Sequence, residues 1–173
     1  DVLVAQMKAL DASPQPIPGS GPSVADLLSL GLSGVSAANL DAVRTAIAAG
    51  DPAALTSLSA LQALVDAGVS DYNSALSVIS AYAQSNGGTA PTARDYQLAG
   101  VALFSQSGVD AVATVNSALA SAPLAATQAD SSAKVQAIVD AYASVLTFAA
   151  GTGSAPTVAT YEAIGTTLGT VAT

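Results

Sequence analysis

Cysteine, histidine and tryptophan are absent from this 173-residue chain. Without cysteine there is no disulfide framework, thiolate nucleophile or cysteine zinc site. Without histidine the chain holds no Ser-His-Asp triad, imidazole base or imidazole metal ligand. Cations are scarce: Lys8, Arg44, Arg94 and Lys134 stand against twelve acids, giving a net charge of −8. Four scattered cations cannot lay down the basic footprint that a phosphate backbone requires, which excludes a nucleic-acid-binding role. No uninterrupted apolar run reaches the roughly 18 residues a membrane span needs, so no membrane insertion is expected. Asp1–Leu10 has neither a cationic leader nor a long apolar stretch of the signal-peptide kind.

Hydrophobic residues nevertheless make up 51% of the chain, while aromatics are only 4%. The difference is filled by 40 alanines, the mark of a helix-rich chain with slender side chains. Charged residues are only 9%, so Ser, Thr, Asn and Gln must solvate the surface. Eleven of the twelve acids are Asp, a poor helix-interior residue but a good cap. An acidic chain with no thiols to mispair and few sites for trypsin-like proteases suits an extracellular location. The chain begins and ends in helix-like sequence and reads as a segment of something longer.

Three decapeptides repeat one pattern: Pro22-Ser-Val-Ala-Asp-Leu-Leu-Ser-Leu-Gly31, Pro91-Thr-Ala-Arg-Asp-Tyr-Gln-Leu-Ala-Gly100 and Pro156-Thr-Val-Ala-Thr-Tyr-Glu-Ala-Ile-Gly165. They are separated by 69 and 65 residues, and a Gly/Ser-rich loop precedes each. The pattern has a physical reason. Ser23, Thr92 and Thr157 stand as N-caps, with Asp26 and Asp95 three residues on as in a capping box. Thr160 replaces the Asp in the third copy, which weakens that box. Each proline can staple against the residue at N4, namely Leu27, Tyr96 or Tyr161. Gly31, Gly100 and Gly165 would end a short helix in the left-handed conformation.

The remainder of each unit carries apolar residues at helical spacing, with no competing strand alternation. Leu40, Val43 and Ile47 form one stripe. Asp51-Pro52 is expected to cap a helix lined by Leu58, Leu61, Leu64 and Val65, and Val69, Tyr72, Leu76, Ile79 and Ala83 continue beyond Gly68. In the second unit Val109, Val112, Val115 and Leu119 form a stripe. Asp130 can cap a helix that turns Val135, Ile138, Val139, Tyr142, Val145 and Leu146 inward. Leu3, Met7 and Leu10 fit the last helix of a preceding unit, and Tyr161, Ile164, Leu168 and Val171 the first helix of a following one. The expected fold is all-α: tandem short antiparallel bundles, three helices each, arranged as a rod. Residues 1–21 would end one repeat, 22–90 and 91–155 would be two further repeats, and 156–173 would open another.

The strings Gly34-Val-Ser-Ala-Ala-Asn-Leu-Asp-Ala-Val43, Pro91-Thr-Ala-Arg-Asp-Tyr96, Val115-Asn-Ser-Ala-Leu119 and Val135-Gln-Ala-Ile-Val-Asp-Ala141 carry a resemblance. The chain resembles the alanine-rich helical repeats of large Gram-negative surface adhesins and biofilm-associated proteins, many exported by type I secretion. That resemblance implies an extracellular, cell-surface location, neighbouring repeats as partners, and a role in attachment or spacing. It brings no catalytic residues. The segment Val101-Ala-Leu-Phe-Ser-Gln-Ser-Gly108 departs from the family's Gly-Val turn.

Reactive chemistry finds little to build on. Calcium would want clustered oxygen ligands, and no Asp-x-Asp-x-Asp-Gly string occurs. Asp66, Ser70 and Asp71 are neighbours, but a helix cap explains them better, so no cofactor or metal is expected. Asp140 and Glu162 have no titratable neighbour at helical spacing for paired acid–base work. A Ser-Lys dyad would need Lys8 or Lys134 desolvated, whereas Lys134, after Ser131 and Ser132, falls in a solvent-facing first turn. Tyr72, Tyr82, Tyr96, Tyr142 and Tyr161 could stack on sugar rings but lie on apolar stripes that suit packing better. An ice-binding surface is a further, minor alternative that the Thr and Ala content invites, although threonine is scattered, with one pair at Thr166-Thr167, rather than set at a strict period.

The sequence therefore points to a non-enzymatic stalk or spacer of a bacterial adhesin. The competing reading is a module that binds a glycan, a host protein or a second copy of itself. Leu103, Phe104 and Phe148 are its candidate patch, because neither phenylalanine recurs in the first unit.

Overall fold

A computed structural model describes residues 21–53, 55–85, 88–121 and 128–166. Among these residues all regular structure is α-helical, with no strand. The helices are α1 (Val24–Ser29), α2 (Leu40–Ala49), α3 (Leu58–Gln84), α4 (Ala93–Leu98), α5 (Ala111–Leu119), α6 (Ser132–Ala149) and α7 (Val158–Ala163). The stripe residues Leu3, Met7, Leu10, Leu168 and Val171, along with Lys8 and Thr167, lie outside the described residues.

The chain packs as two compact units. Of the described residues, those up to Ser74, joined by Gln97–Gly100, form the first, and those within Ala75–Tyr96 and from Val101 onward form the second. In the first unit Leu27, Leu32, Val43, Ile47, Leu61 and Val65 make one buried cluster, with Val35, Leu40, Leu55, Leu64 and Val69 packed against it. Val43 and Ile47 come from α2, and Leu61 and Val65 from α3, both pairs four residues apart. That spacing puts each pair on a single helix face. Each fully buried Leu or Val of this kind contributes about 1.5–3 kcal/mol. Gly68 lets α2 and α3 approach closely, because a Cβ there would stand only 2.6 Å from Val43 Cα and 2.9 Å from the Ala42 carbonyl oxygen.

In the second unit the buried positions include Ala75, Ile79 and Ala83 of α3, Pro91, Tyr96 of α4, Val101, then Val115, Asn116, Ala118 and Leu119 of α5, Ala129 ahead of α6, Val135, Ile138, Val139 and Ala141 of α6, and Ile164. Helix α6 packs against α5 and against α7. The residues expected to line α5 and α6 thus supply the interior, with Val112, Tyr142, Val145 and Leu146 half-buried at its margin.

All three proline-led decapeptides fold into the same corner. In the first, Ser23 N–H donates to Asp26 Oδ2 at 2.8 Å and Asp26 N–H returns to Ser23 Oγ at 3.2 Å. Thr92 and Asp95 repeat this at 2.7 and 3.3 Å. In the third copy the uncharged box closes at 3.3 and 3.2 Å between Thr157 and Thr160. Each helix then stops in a Schellman turn. Gly31 N–H donates to Leu28 O and Leu32 N–H to Leu27 O; Gly100 and Val101 do the same to Gln97 and Tyr96, and Gly165 and Thr166 to Glu162 and Tyr161. The glycines sit at φ of 85°, 69° and 79°, the left-handed region that a Cβ disfavours.

The Ser23 hydroxyl, and then its backbone N–H, hold the Asp26 carboxyl below its ordinary pKa. The unfolded chain takes up that proton first as pH falls, so the contribution is present above about pH 4 and is lost through the lower folded value. Thermal melts between pH 6 and pH 2.5 are expected to show the stability gap between the native chain and Asp26→Asn closing as the acid limb is entered. A gap that stays constant with pH would contradict this.

Three local expectations are corrected. Asp51-Pro52 does not cap α3. The Asp51 carboxylate accepts the Ala53 N–H two residues on, which turns the chain, and the helix begins at Leu58 with Ser57 Oγ accepting the Ala60 N–H at 3.1 Å. Leu58 is accordingly 51% exposed rather than part of the inward face. Asp130 does not cap α6, whose N-cap is Ser131. Asp130 instead pairs with Lys134 one turn on, at 2.7 Å. Asp66 and Asp71 are not caps either, because both lie inside α3.

Candidate functional site

The described residues bring together two repeated polar clasps rather than a reactive constellation. In the first unit Gln62 on α3 spans the exposed chain after the first corner. Its Oε1 accepts the Ser33 N–H at 3.0 Å, and its Nε2 donates to the Ser33 carbonyl at 3.2 Å and to Asp66 Oδ1 at 2.8 Å. In the second unit Gln136 on α6 does the same to Ala102 at 2.8 and 3.1 Å, and to Asp140 at 2.8 Å. A primary amide offers one acceptor and two donor hydrogens, so it can grip both polar groups of one residue and still bond a carboxylate. Backbone that leaves a Schellman turn has no helix or strand partner, and the glutamine supplies one.

A second tie joins each of the first two leading prolines, Pro22 and Pro91, to the helix after its corner. Arg44 Nε on α2 donates to the Pro22 carbonyl at 3.0 Å, and its guanidinium reaches Asp41 at 3.4 Å. The matching position on α5 is Asn116, whose Nδ2 donates to the Pro91 carbonyl at 2.9 Å. Asn116 Oδ1 also accepts the Tyr96 hydroxyl at 2.6 Å, and both side chains are buried. Burial first, then the nearby Tyr82 and Asp95, pushes the Tyr96 phenol well above the ordinary tyrosine range. In the turn before α2, buried Asn39 accepts the Ser36 N–H at 2.8 Å and donates to the Gly34 carbonyl at 2.9 Å. No buried side-chain nitrogen or oxygen among the described residues lacks a partner.

The residues considered for chemistry are spread out. Asp66 and Asp140 are each held by their clasp glutamine. Ser70, Asp71 and Glu162 are exposed. No group of three acidic side chains that could hold a metal ion gathers among the described residues. Lys134 is ion-paired with Asp130, each side chain about half exposed at 51% and 47%. Among the tyrosines Tyr96 is fully buried, which removes it from any stacking platform; Tyr72, Tyr82, Tyr142 and Tyr161 are half-buried. Leu103 and Phe104 are half-buried in the connection between α4 and α5, and Phe148 is 44% exposed near the end of α6. No described helix is long and apolar enough to cross a membrane.

The clasp glutamines escape a reading centred on proline and apolar spacing. Their signal is present in the sequence: Leu61-Gln-Ala-Leu-Val-Asp-Ala67 matches Val135-Gln-Ala-Ile-Val-Asp-Ala141 at five of seven positions. Gln136→Ala is expected to destabilise the second unit by about 1 kcal/mol, the size of a partly exposed hydrogen-bond set. It should also speed amide exchange at Ala102. An unchanged exchange rate there would remove the clasp's role. Comparison with family models, curated proteins and solved structures gave no match to the chain.

Proposed function

We propose that this chain is a non-enzymatic spacer made of tandem helical repeats, part of an extracellular bacterial adhesin whose ligand-binding region it holds at a distance. The observation that carries the reading is recurrence. One decapeptide forms the same capped, glycine-stopped corner three times, and the two corners that are followed by a long helix are clasped by a glutamine in the same register. Chemistry repeated in this way is structural; a catalytic or binding residue set would be expected once. Short helical bundles succeeding one another lengthwise would give a rod, the shape that makes repetition useful. The adhesin assignment rests on the resemblance of the repeat strings, and the extracellular location also on the cysteine-free, lysine-poor composition.

Small-angle scattering tests the shape. A compact particle of this length has a radius of gyration of about 16 Å. A clearly larger value and an elongated distance distribution, unchanged by calcium or chelator, are expected. A value near the compact one would reject the spacer reading. A glycan array showing specific binding that Phe104→Ala abolishes would replace it with that of a binding module.

A further inference from the structure

The first two corners are tied to the helices that follow them by unlike chemistry. In the second unit the corner places Tyr96 at N4, fully buried. Its phenol donates to Asn116 Oδ1 at 2.6 Å, while Asn116 Nδ2 donates to the Pro91 carbonyl at 2.9 Å. A buried hydroxyl needs an acceptor, and a side-chain amide is acceptor and donor at once. In the first unit N4 is Leu27, which is 0% exposed and brings no polar atom. The helix after it carries Arg44, a donor with no acceptor capacity. Arg44 Nε donates to the Pro22 carbonyl at 3.0 Å, and its guanidinium also reaches Asp41, three residues earlier, at 3.4 Å. When Val43 is matched to Val115, both fully buried, Arg44 falls on Asn116 and Asp41 on Ala113. The second unit therefore has no acid at the position where the first uses one to satisfy its guanidinium.

We infer that the N4 residue of a corner and the residue that ties its leading proline form a matched pair, Leu27 with Arg44 and Tyr96 with Asn116, by which each corner accepts its own second helix and rejects the other's. Crossing the pairs shows the selection. Arginine at the position of Asn116 would offer the buried Tyr96 phenol only donors, so its proton would have no acceptor. Asparagine at the position of Arg44 would keep a donor for the Pro22 carbonyl, but Leu27 would give its carbonyl oxygen no partner, and Asp41 would lose its cation. Each mismatch leaves a polar group desolvated and unpaired, the penalty by which a wrong partner is excluded. Units built on one corner need such a distinction, because a linked neighbour presents a similar helix at high local concentration. The inference concerns which helix each corner accepts, and it stands independently of the spacer reading.

Thermal melts of the full chain test the pairing. Ala113→Asp/Asn116→Arg installs the first unit's tie in the second and should lower the melting midpoint by about 10 °C or more while Tyr96 remains. Adding Tyr96→Leu should recover about half of that loss or more, although Tyr96→Leu alone is destabilising. Where Ala113→Asp/Asn116→Arg does not fold, a folded triple variant is the same rescue. The reciprocal exchange adds a spectroscopic readout. In Leu27→Tyr/Arg44→Asn the introduced phenol should resist ionisation until the chain unfolds, as that of Tyr96 does, followed by ultraviolet absorbance during alkaline titration and compared with the native chain. In Leu27→Tyr alone it should ionise at lower pH, beside a guanidinium that cannot accept its proton. A triple variant no more stable than Ala113→Asp/Asn116→Arg, or unfolded where Tyr96→Leu alone folds, would overturn the matched pair. So would a phenol at position 27 whose ionisation is indifferent to the residue at position 44.

Discussion

Gly68→Ala is expected to destabilise the first unit by about 3 kcal/mol, lowering its melting midpoint by roughly 12 °C or more. The sign makes this informative. Gly68 lies inside α3, where alanine is favoured over glycine by about 1 kcal/mol on helix propensity alone. Propensity therefore predicts a gain. Packing predicts a loss, because the new methyl carbon would stand 2.6 Å from Val43 Cα and 2.9 Å from Val43 N and Ala42 O. These are backbone atoms of a neighbouring helix, so no side chain can swing aside, and α2 must shift away from α3. That shift would open the cluster formed by Val43, Ile47, Leu61 and Val65. Denaturant unfolding followed by circular dichroism would measure it. A stabilised variant would mean that the two helices do not cross at Gly68.

Asn116→Ala should have an effect of similar size in the second unit. Asn116 is buried and bonds both Tyr96 Oη and the Pro91 carbonyl. Its removal leaves a buried hydroxyl and a buried carbonyl without those partners, each worth about 1–3 kcal/mol, so a loss of about 3 kcal/mol is expected. Tyr96→Phe should cost less, since only Asn116 Oδ1 is orphaned. A double-mutant cycle between the two should show strong coupling. The pair also sets an alkaline limit. Burial raises the Tyr96 pKa in the folded chain, so the unfolded chain loses that proton first as pH rises. Stability from this source is intact below about pH 10 and is lost above it. Unfolding midpoints between pH 7 and pH 11 should fall for the native chain and fall less for Tyr96→Phe.

Much of this architecture is legible in the sequence because local rules dominate it. Pro, Ser or Thr, a polar N3 residue and Gly at fixed offsets specify a corner whose bonds all close within about ten residues, and the three corners form as those offsets require. The four-residue spacing of Val43 with Ile47 and of Leu61 with Val65 likewise names the first core. What the pattern could not reveal depends on tertiary contact. The apolar stripe continues past Gly68, as the 27-residue helix requires, but nothing in its spacing shows that Gly68 is where another helix crosses close by. Asp51-Pro52 has the composition of a helix start, yet the Asx-type bond to Ala53 N–H diverts the chain and hands the cap to Ser57. The clasp between Gln62 and Ser33 spans 29 residues, and the one between Gln136 and Ala102 spans 34. No periodicity within either helix marks the residue that will be gripped. Arg44 and Asn116 do one job with unlike chemistry, so neither identity predicts the other.

The proline-led corners have a kinetic consequence. Their hydrogen bonds join residues no more than five apart, so closing one carries almost no loop-entropy penalty. Structure of such low contact order forms early and fast. Each corner can therefore set as soon as its own ten residues are free to fold, without waiting for the next one to form.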